Sequence, residues 1–206
     1  SGAIVECIDC GNYILPDQVK LPDDKPDLKA ALFLHIYYPD QIDYCLRYAK
    51  NTPDYMDFFI STDSKEKVRA IKKVFSALSD RKIEVILIEN RGRDVSALLV
   101  GFKPYLKDYD VVCTAHDKKT SYWKPLIVGE SYSYHCFENV LGSREYIENI
   151  LKTFKDNPRL GLLTPPTPNF GPWSSLPGNE WLLNFDAVEN YAREMGITVP
   201  MSNDSP

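Results

Sequence analysis

The chain has 206 residues, 44% of them apolar, and a formal charge of −5. That is enough apolar material for one full core, and the acidic balance, without a long basic run, argues against a nucleic-acid partner. No apolar stretch reaches the roughly 20 residues that span a bilayer and no basic-then-apolar leader opens the chain, so a soluble, cytoplasmic protein is expected. The cysteines number five, an odd count that fits reduced thiols better than a disulfide framework. Cys7 and Cys10 form a lone CxxC with no second pair at ligand spacing, and are read as incidental. Ser1-Gly2 without an initiator Met leads us to expect an excised fragment.

In chain order, residues 1–28 carry Pro16, Pro22, Pro26 and several Asp, and are expected to be irregular. Ala30 to Tyr37 is a continuous apolar run, hence a buried strand, followed by a helix with Ile42, Cys45, Leu46 and Ala49 on one face. Met56 to Ser61 is the second strand, leading into a helix marked by Val68, Ile71, Phe75 and Leu78. Ile83 to Glu89 is the third. After it, Val95, Leu98, Leu99 and Phe102 fall at i, i+3, i+4 and i+7, predicting an amphipathic helix capped by Asp94. Tyr109 to Ala115 is the fourth strand. Residues 116–140 are rich in aromatics without a clear period, and predict a long excursion over the sheet. A helix from Ser143 buries Ile147, Ile150, Leu151 and Phe154 and stops at Asn157-Pro158. Leu160 to Thr164 is a short strand, and Thr167 to Glu180 a loop. A last helix carries Val188, Ala192 and Met195, with Gly196 as its stop. The final residues, 201–206, close no recognisable unit, so the chain is expected to be truncated there.

Strands alternating with helices, apolar on both faces, predict an α/β protein with a mostly parallel sheet flanked by helices. Its strand ends then converge on one crevice. The first brings His35 and Tyr37, the second Asp63, the third Asn90, Arg91, Gly92, Arg93 and Asp94, and the fourth His116, Asp117, Lys118 and Lys119. Carboxylates, cations and imidazoles together suit a small anion with a polar ring, such as a nucleotide, because guanidinium forks and free backbone N–H groups both seek phosphate oxygens. The plainer readings are that Asp63, Ser61 or Ser64 caps a helix, that His35 is a hydrogen-bonded core histidine, and that the lysines are solvated. GxGxxG, Walker A and GxSxG motifs are absent, which argues against dinucleotide binding, P-loop hydrolysis and α/β-hydrolase chemistry.

From about Leu32 onward the sequence resembles the rhamnan synthesis F family. The resemblance is carried by His35-Ile36-Tyr37-Tyr38-Pro39, Ile60-Ser61-Thr62-Asp63-Ser64, Glu89-Asn90-Arg91-Gly92-Arg93-Asp94 and His116-Asp117-Lys118-Lys119. Leu141-Gly142-Ser143, Asn157-Pro158-Arg159-Leu160-Gly161 and Leu176-Pro177-Gly178-Asn179-Glu180-Trp181 extend it. The resemblance implies a bacterial glycosyltransferase with an A-like fold over 29–206, incomplete at its C-terminal end. It further implies transfer of a sugar, rhamnose from dTDP-rhamnose, to a polysaccharide or lipid-linked glycan of the cell wall or lipopolysaccharide, at the inner face of the membrane. The alternative is an inactive, transferase-like nucleotide-binding or scaffolding domain.

In such enzymes a second-strand carboxylate, matched by Asp63, holds the base or ribose, and a third-strand turn, matched by Asn90 to Asp94, covers the nucleotide. His116-Asp117-Lys118-Lys119 stands where an Asp-x-Asp motif would hold a cation. A Mg or Mn ion would have only Asp117 and His116 there, so metal-independent neutralisation of the diphosphate by Lys118, Lys119, Arg91 and Arg93 is preferred. No catalytic base is assigned; the resemblance places it in a segment that this chain is expected to lack.

Overall fold

The computed structural model describes residues 27–78, 80–119, 127–166 and 184–198. The expectations for residues 1–26, the Cys7–Cys10 pair, the part of the 116–140 excursion at 120–126, the loop at 167–180 and the chain's end lie outside those residues. The contacts divide the chain into two compact units, 1–166 and 167–206, a boundary that the sequence did not mark.

In the first unit four strands, β1 (Ala30–His35), β2 (Asp57–Thr62), β3 (Ile83–Leu87) and β4 (Val111–His116), form a sheet in the order β3-β2-β1-β4. Every pairing is parallel. Alternate side chains of a strand point to opposite faces, and here both faces are covered. Ala30, Leu32, Leu34 and Ile36 join one cluster with α1 (Ile42–Ala49), α2 (Lys65–Phe75), α5 (Ile127–Leu141) and α6 (Arg144–Asp156). Ala31, Phe33 and Phe59 join another with Ala97 and Phe102, where Phe33 stacks on Phe102 at 4.8 Å between ring centroids. Each of the largest buried rings stabilises the fold by about 1.5–3 kcal/mol through removal of apolar surface from water. The mostly parallel α/β architecture is as the sequence implies, although β1 and β3 stop two residues short of their predicted ends, at His35 and Leu87.

The helix after β3 departs from its predicted form. The chain enters α3 (Arg93–Ser96) through Gly92 at φ 86° and Arg93 at φ 54°. Asp94 therefore lies in the first turn, and Gly92 takes the cap position. A π turn over Ala97–Gly101 follows, closed by the Phe102 N–H donating to the Ala97 carbonyl at 2.9 Å, before α4 (Lys103–Leu106). The wider turn changes which residues face the sheet. Ala97, Gly101 and Phe102 are buried, whereas Val95 and Leu99, assigned to the buried face by spacing, are 57% and 59% exposed. Gly101 has a packing reason, since a Cβ there would lie 3.1 Å from the Ile88 side chain.

Two more expectations are corrected. Residues 127–141, expected within an aperiodic excursion, form α5. Its inward stripe is Gly129, Ser133, Phe137 and Leu141, at a regular spacing of four, but two of these are not hydrophobic and so leave no apolar period to read. Leu160 to Thr164 is not a strand. Gly161 interrupts the run, Pro165-Pro166 removes two backbone donors directly after it, and Leu162 is 75% exposed. The α6 helix agrees with expectation, with Ser143 capping it by accepting from the Tyr146 N–H at 3.1 Å.

In the second unit α7 (Phe185–Glu194) ends as predicted: Gly196 sits at φ 71° and its N–H donates to the Arg193 carbonyl at 3.1 Å.

Candidate functional site

The strand order reverses at β1, whose neighbours are β2 on one side and β4 on the other. Ligands of open α/β sheets bind beyond the carboxyl ends of the strands at such a reversal. His35 and His116 are register partners there, and all four strand exits contribute side chains around them.

The β1 and β4 exits are tied together. The Asp117 N–H extends the ladder to the His35 carbonyl at 3.0 Å. The Asp117 carboxylate then accepts from the Tyr37 N–H at 3.0 and 2.9 Å and from the Tyr38 N–H at 2.6 Å. Burial pushes this carboxyl up to about 6, against the pull of the N–H donors. It is a tether that turns the chain out of β1. His35 is buried beside it, with Nδ1 2.8 Å from Ser61 Oγ. Burial, with His116 adding to it, lowers its pKa and keeps the ring neutral. This matches the plainer reading of His35 as a hydrogen-bonded core histidine.

The β2 exit presents Asp63. Its cap role falls to Ser64, which accepts from the Lys67 N–H at 3.3 Å. Asp63 instead pairs with Lys67 at 2.5 Å, each side chain less than one-fifth exposed. The Lys67 ammonium also lies 4.0 Å from the centre of the Tyr37 ring, and the Tyr37 hydroxyl accepts from Asn90 Nδ2 at 3.3 Å. Lys67 thus joins the β2 and β1 exits, and Tyr37 carries the link on to β3. Sequence reasoning missed it; the signal was its i+4 spacing from Asp63 on a helix start.

The β3 exit is open. Arg91, Gly92 and Arg93 are exposed, and neither arginine forms an ion pair among the described residues. Asp94 approaches His116, Oδ2 to Nδ1 at 3.8 Å. The His116 pKa is lowered, by desolvation first, with Asp94 opposing. A neutral imidazole held beside a carboxylate is a competent proton acceptor. The two lysines are less available than their position in the sequence implies. Lys119 pairs with Asp40 and lies over the Tyr38 ring, and the Lys118 ammonium lies 4.9 Å from the centre of the Tyr132 ring.

Asp117 is also the residue expected to anchor Mg or Mn. Both its oxygens already accept backbone N–H groups, and no three His, Cys, Asp or Glu side chains gather as ligands among the described residues. A divalent ion held at Asp117 would take the rest of its oxygen ligands from water and from the diphosphate itself. Among the described residues, no helix is long and apolar enough to cross a membrane.

No curated protein and no solved structure matches the chain. A family match does exist, to rhamnan synthesis protein F over residues 5–205. It takes in every strand exit described above, so the crevice is a feature of the matched region and not an addition to it. The chain belongs to the rhamnan synthesis protein F family.

Proposed function

We propose that the crevice binds a nucleoside diphosphate sugar and that the protein transfers its sugar, rhamnose, to a growing cell-surface glycan. The observation that carries this reading is that the largely buried carboxylate–ammonium pair Asp63 and Lys67 lies at the same crevice as the Asn90–Asp94 turn, which reaches Tyr37 and His116 and exposes Arg91 and Arg93, neither ion-paired among the described residues. The first suits the polar edges of a base or ribose, and the second a diphosphate. The arginines neutralise charge that develops on the leaving diphosphate, a task open to fixed cations as well as to metals. Asp117 and His35 shape the floor without touching the ligand. In this reading His116, with Asp94 beside it, takes the acceptor hydroxyl's proton. A location in the cytoplasm, where nucleotide sugars are made, follows from the same reading.

The test is a titration of UDP and dTDP into wild type and Asp63→Ala. Loss of a charged hydrogen bond weakens binding by about 1–3 kcal/mol. Unchanged affinity in a folded variant reduces Asp63 to one half of a helix-surface ion pair.

A further inference from the structure

The start of α2 carries a cation where the helix itself gives no reason for one. Lys67 lies in the first turn, its N–H held by the Ser64 hydroxyl at 3.3 Å, and the helix dipole disfavours positive charge there. Its side chain runs back toward the strand ends, as side chains on a helix do, and is less than one-fifth exposed. The ammonium donates to Asp63 Oδ1 at 2.5 Å and lies 4.0 Å from the centre of the Tyr37 ring. The second carboxylate oxygen, Asp63 Oδ2, has no hydrogen bond among the described residues. Tyr37 is held at its other ends as well: its N–H donates to Asp117 and its hydroxyl accepts from Asn90. One ammonium therefore fixes the ring of the β1 exit and one oxygen of the β2 exit, and leaves the second oxygen for a donor from outside.

We propose that Lys67 is a positioning residue for the nucleoside half of the ligand: it holds Asp63 and Tyr37 in the arrangement that the base and ribose meet, and does not itself neutralise the diphosphate. This rests on the reading of the crevice as a nucleotide site. The other task open to a cation there is to meet the diphosphate, as proposed for Arg91 and Arg93. Exposure and pairing separate the two. The arginines are exposed and form no ion pair among the described residues, whereas the Lys67 ammonium is largely buried and shared between a carboxylate and a ring face. Without it the Asp63 carboxylate would stand largely buried with its counter-ion gone. Such a group takes up a proton or turns toward water, and either change removes the fixed acceptor that an N–H or O–H of the ligand needs. The Tyr37 ring loses its cation contact at the same time.

Titration of UDP and dTDP into the whole chain, as wild type, Lys67→Met, Asp63→Ala and the double variant, over a range of salt, tests this. Lys67→Met is expected to weaken nucleotide binding about tenfold or more. In the Asp63→Ala background the same change is expected to cost about threefold or less, because a residue that acts through another is not additive with it. The salt dependence of the remaining affinity is expected to match that of wild type, since no charge facing the phosphates has been removed. If Lys67→Met fails to fold, Lys67→Gln is read in its place. Equal losses in the two backgrounds, or a flatter salt dependence in the Lys67 variant, make Lys67 a phosphate-contacting cation and overturn the inference. Unchanged affinity in a folded variant makes it a helix-surface ion pair and also overturns it, while the nucleotide reading stands. Absent nucleotide binding by wild type overturns that reading, and this inference with it.

Discussion

The two sides of the crevice are built on opposite principles. At the β1 and β4 exits the buried polar groups are committed: Asp117 holds the Tyr37 and Tyr38 amides, and His35 is hydrogen-bonded to Ser61. At the β3 exit the chain passes through two left-handed residues into a short helix and a π turn, and leaves Arg91 and Arg93 exposed and unpaired among the described residues. The first side is a scaffold and the second is chemically available. Polar residues at the ends of parallel strands are therefore not equivalent candidates for ligand binding. Those whose hydrogen bonds are already satisfied by backbone hold the site, and those left open use it.

The largest effect that would break this contrast concerns Asp117. Removing its carboxylate leaves two part-buried backbone donors unsatisfied, each costing up to about 1–3 kcal/mol. Asp117→Ala is expected to lower the unfolding free energy in urea by about 3 kcal/mol. A variant of wild-type stability that had lost nucleotide binding would instead make Asp117 a ligand-contacting residue.

A smaller effect concerns His35. Burial lowers its pKa in the folded protein, so the unfolded chain takes up the proton first as pH falls. The stability that His35 provides is fully present above the ordinary histidine pKa of about 6.5 and is lost as pH falls from there through the lowered folded value. Urea unfolding at pH 7.5 and pH 5.5 is expected to show a larger loss for wild type than for His35→Gln. His116 shares the lowered direction and remains in both proteins, so the difference isolates His35. Equal losses would place the ring in solvent and weaken the scaffold reading of this side.

Much of this was readable from the residues. The sheet was legible because β1 and β2 are apolar on both faces, which only a covered parallel strand tolerates. The crevice was legible because polar residues follow each run. What escaped reading depended on long-range geometry. The four-residue stripe of α5 includes Gly129 and Ser133, which are buried but carry no hydrophobic signal. The π turn shifts which residues face the sheet, and nothing in Val95 to Phe102 announces a wider turn except Gly101, whose meaning depends on the approach of Ile88. Nor does spacing reveal that Asp117 points back to the amides of Tyr37 and Tyr38, nearly eighty residues earlier, or that Lys119 meets Asp40. Strand-end position identified the neighbourhood; partner geometry separates scaffold from open side chains.

The central claim is that the open side takes a diphosphate with its own cations. Calorimetric titration of UDP into wild type and into Arg91→Ala with Arg93→Ala, each with and without a chelator, tests it most directly. The account predicts wild-type binding that survives the chelator and weakens with salt, and a loss of about 2 kcal/mol or more in the double variant, the range for hydrogen bonds to charged groups. Binding that requires magnesium or manganese and is indifferent to both arginines would contradict it.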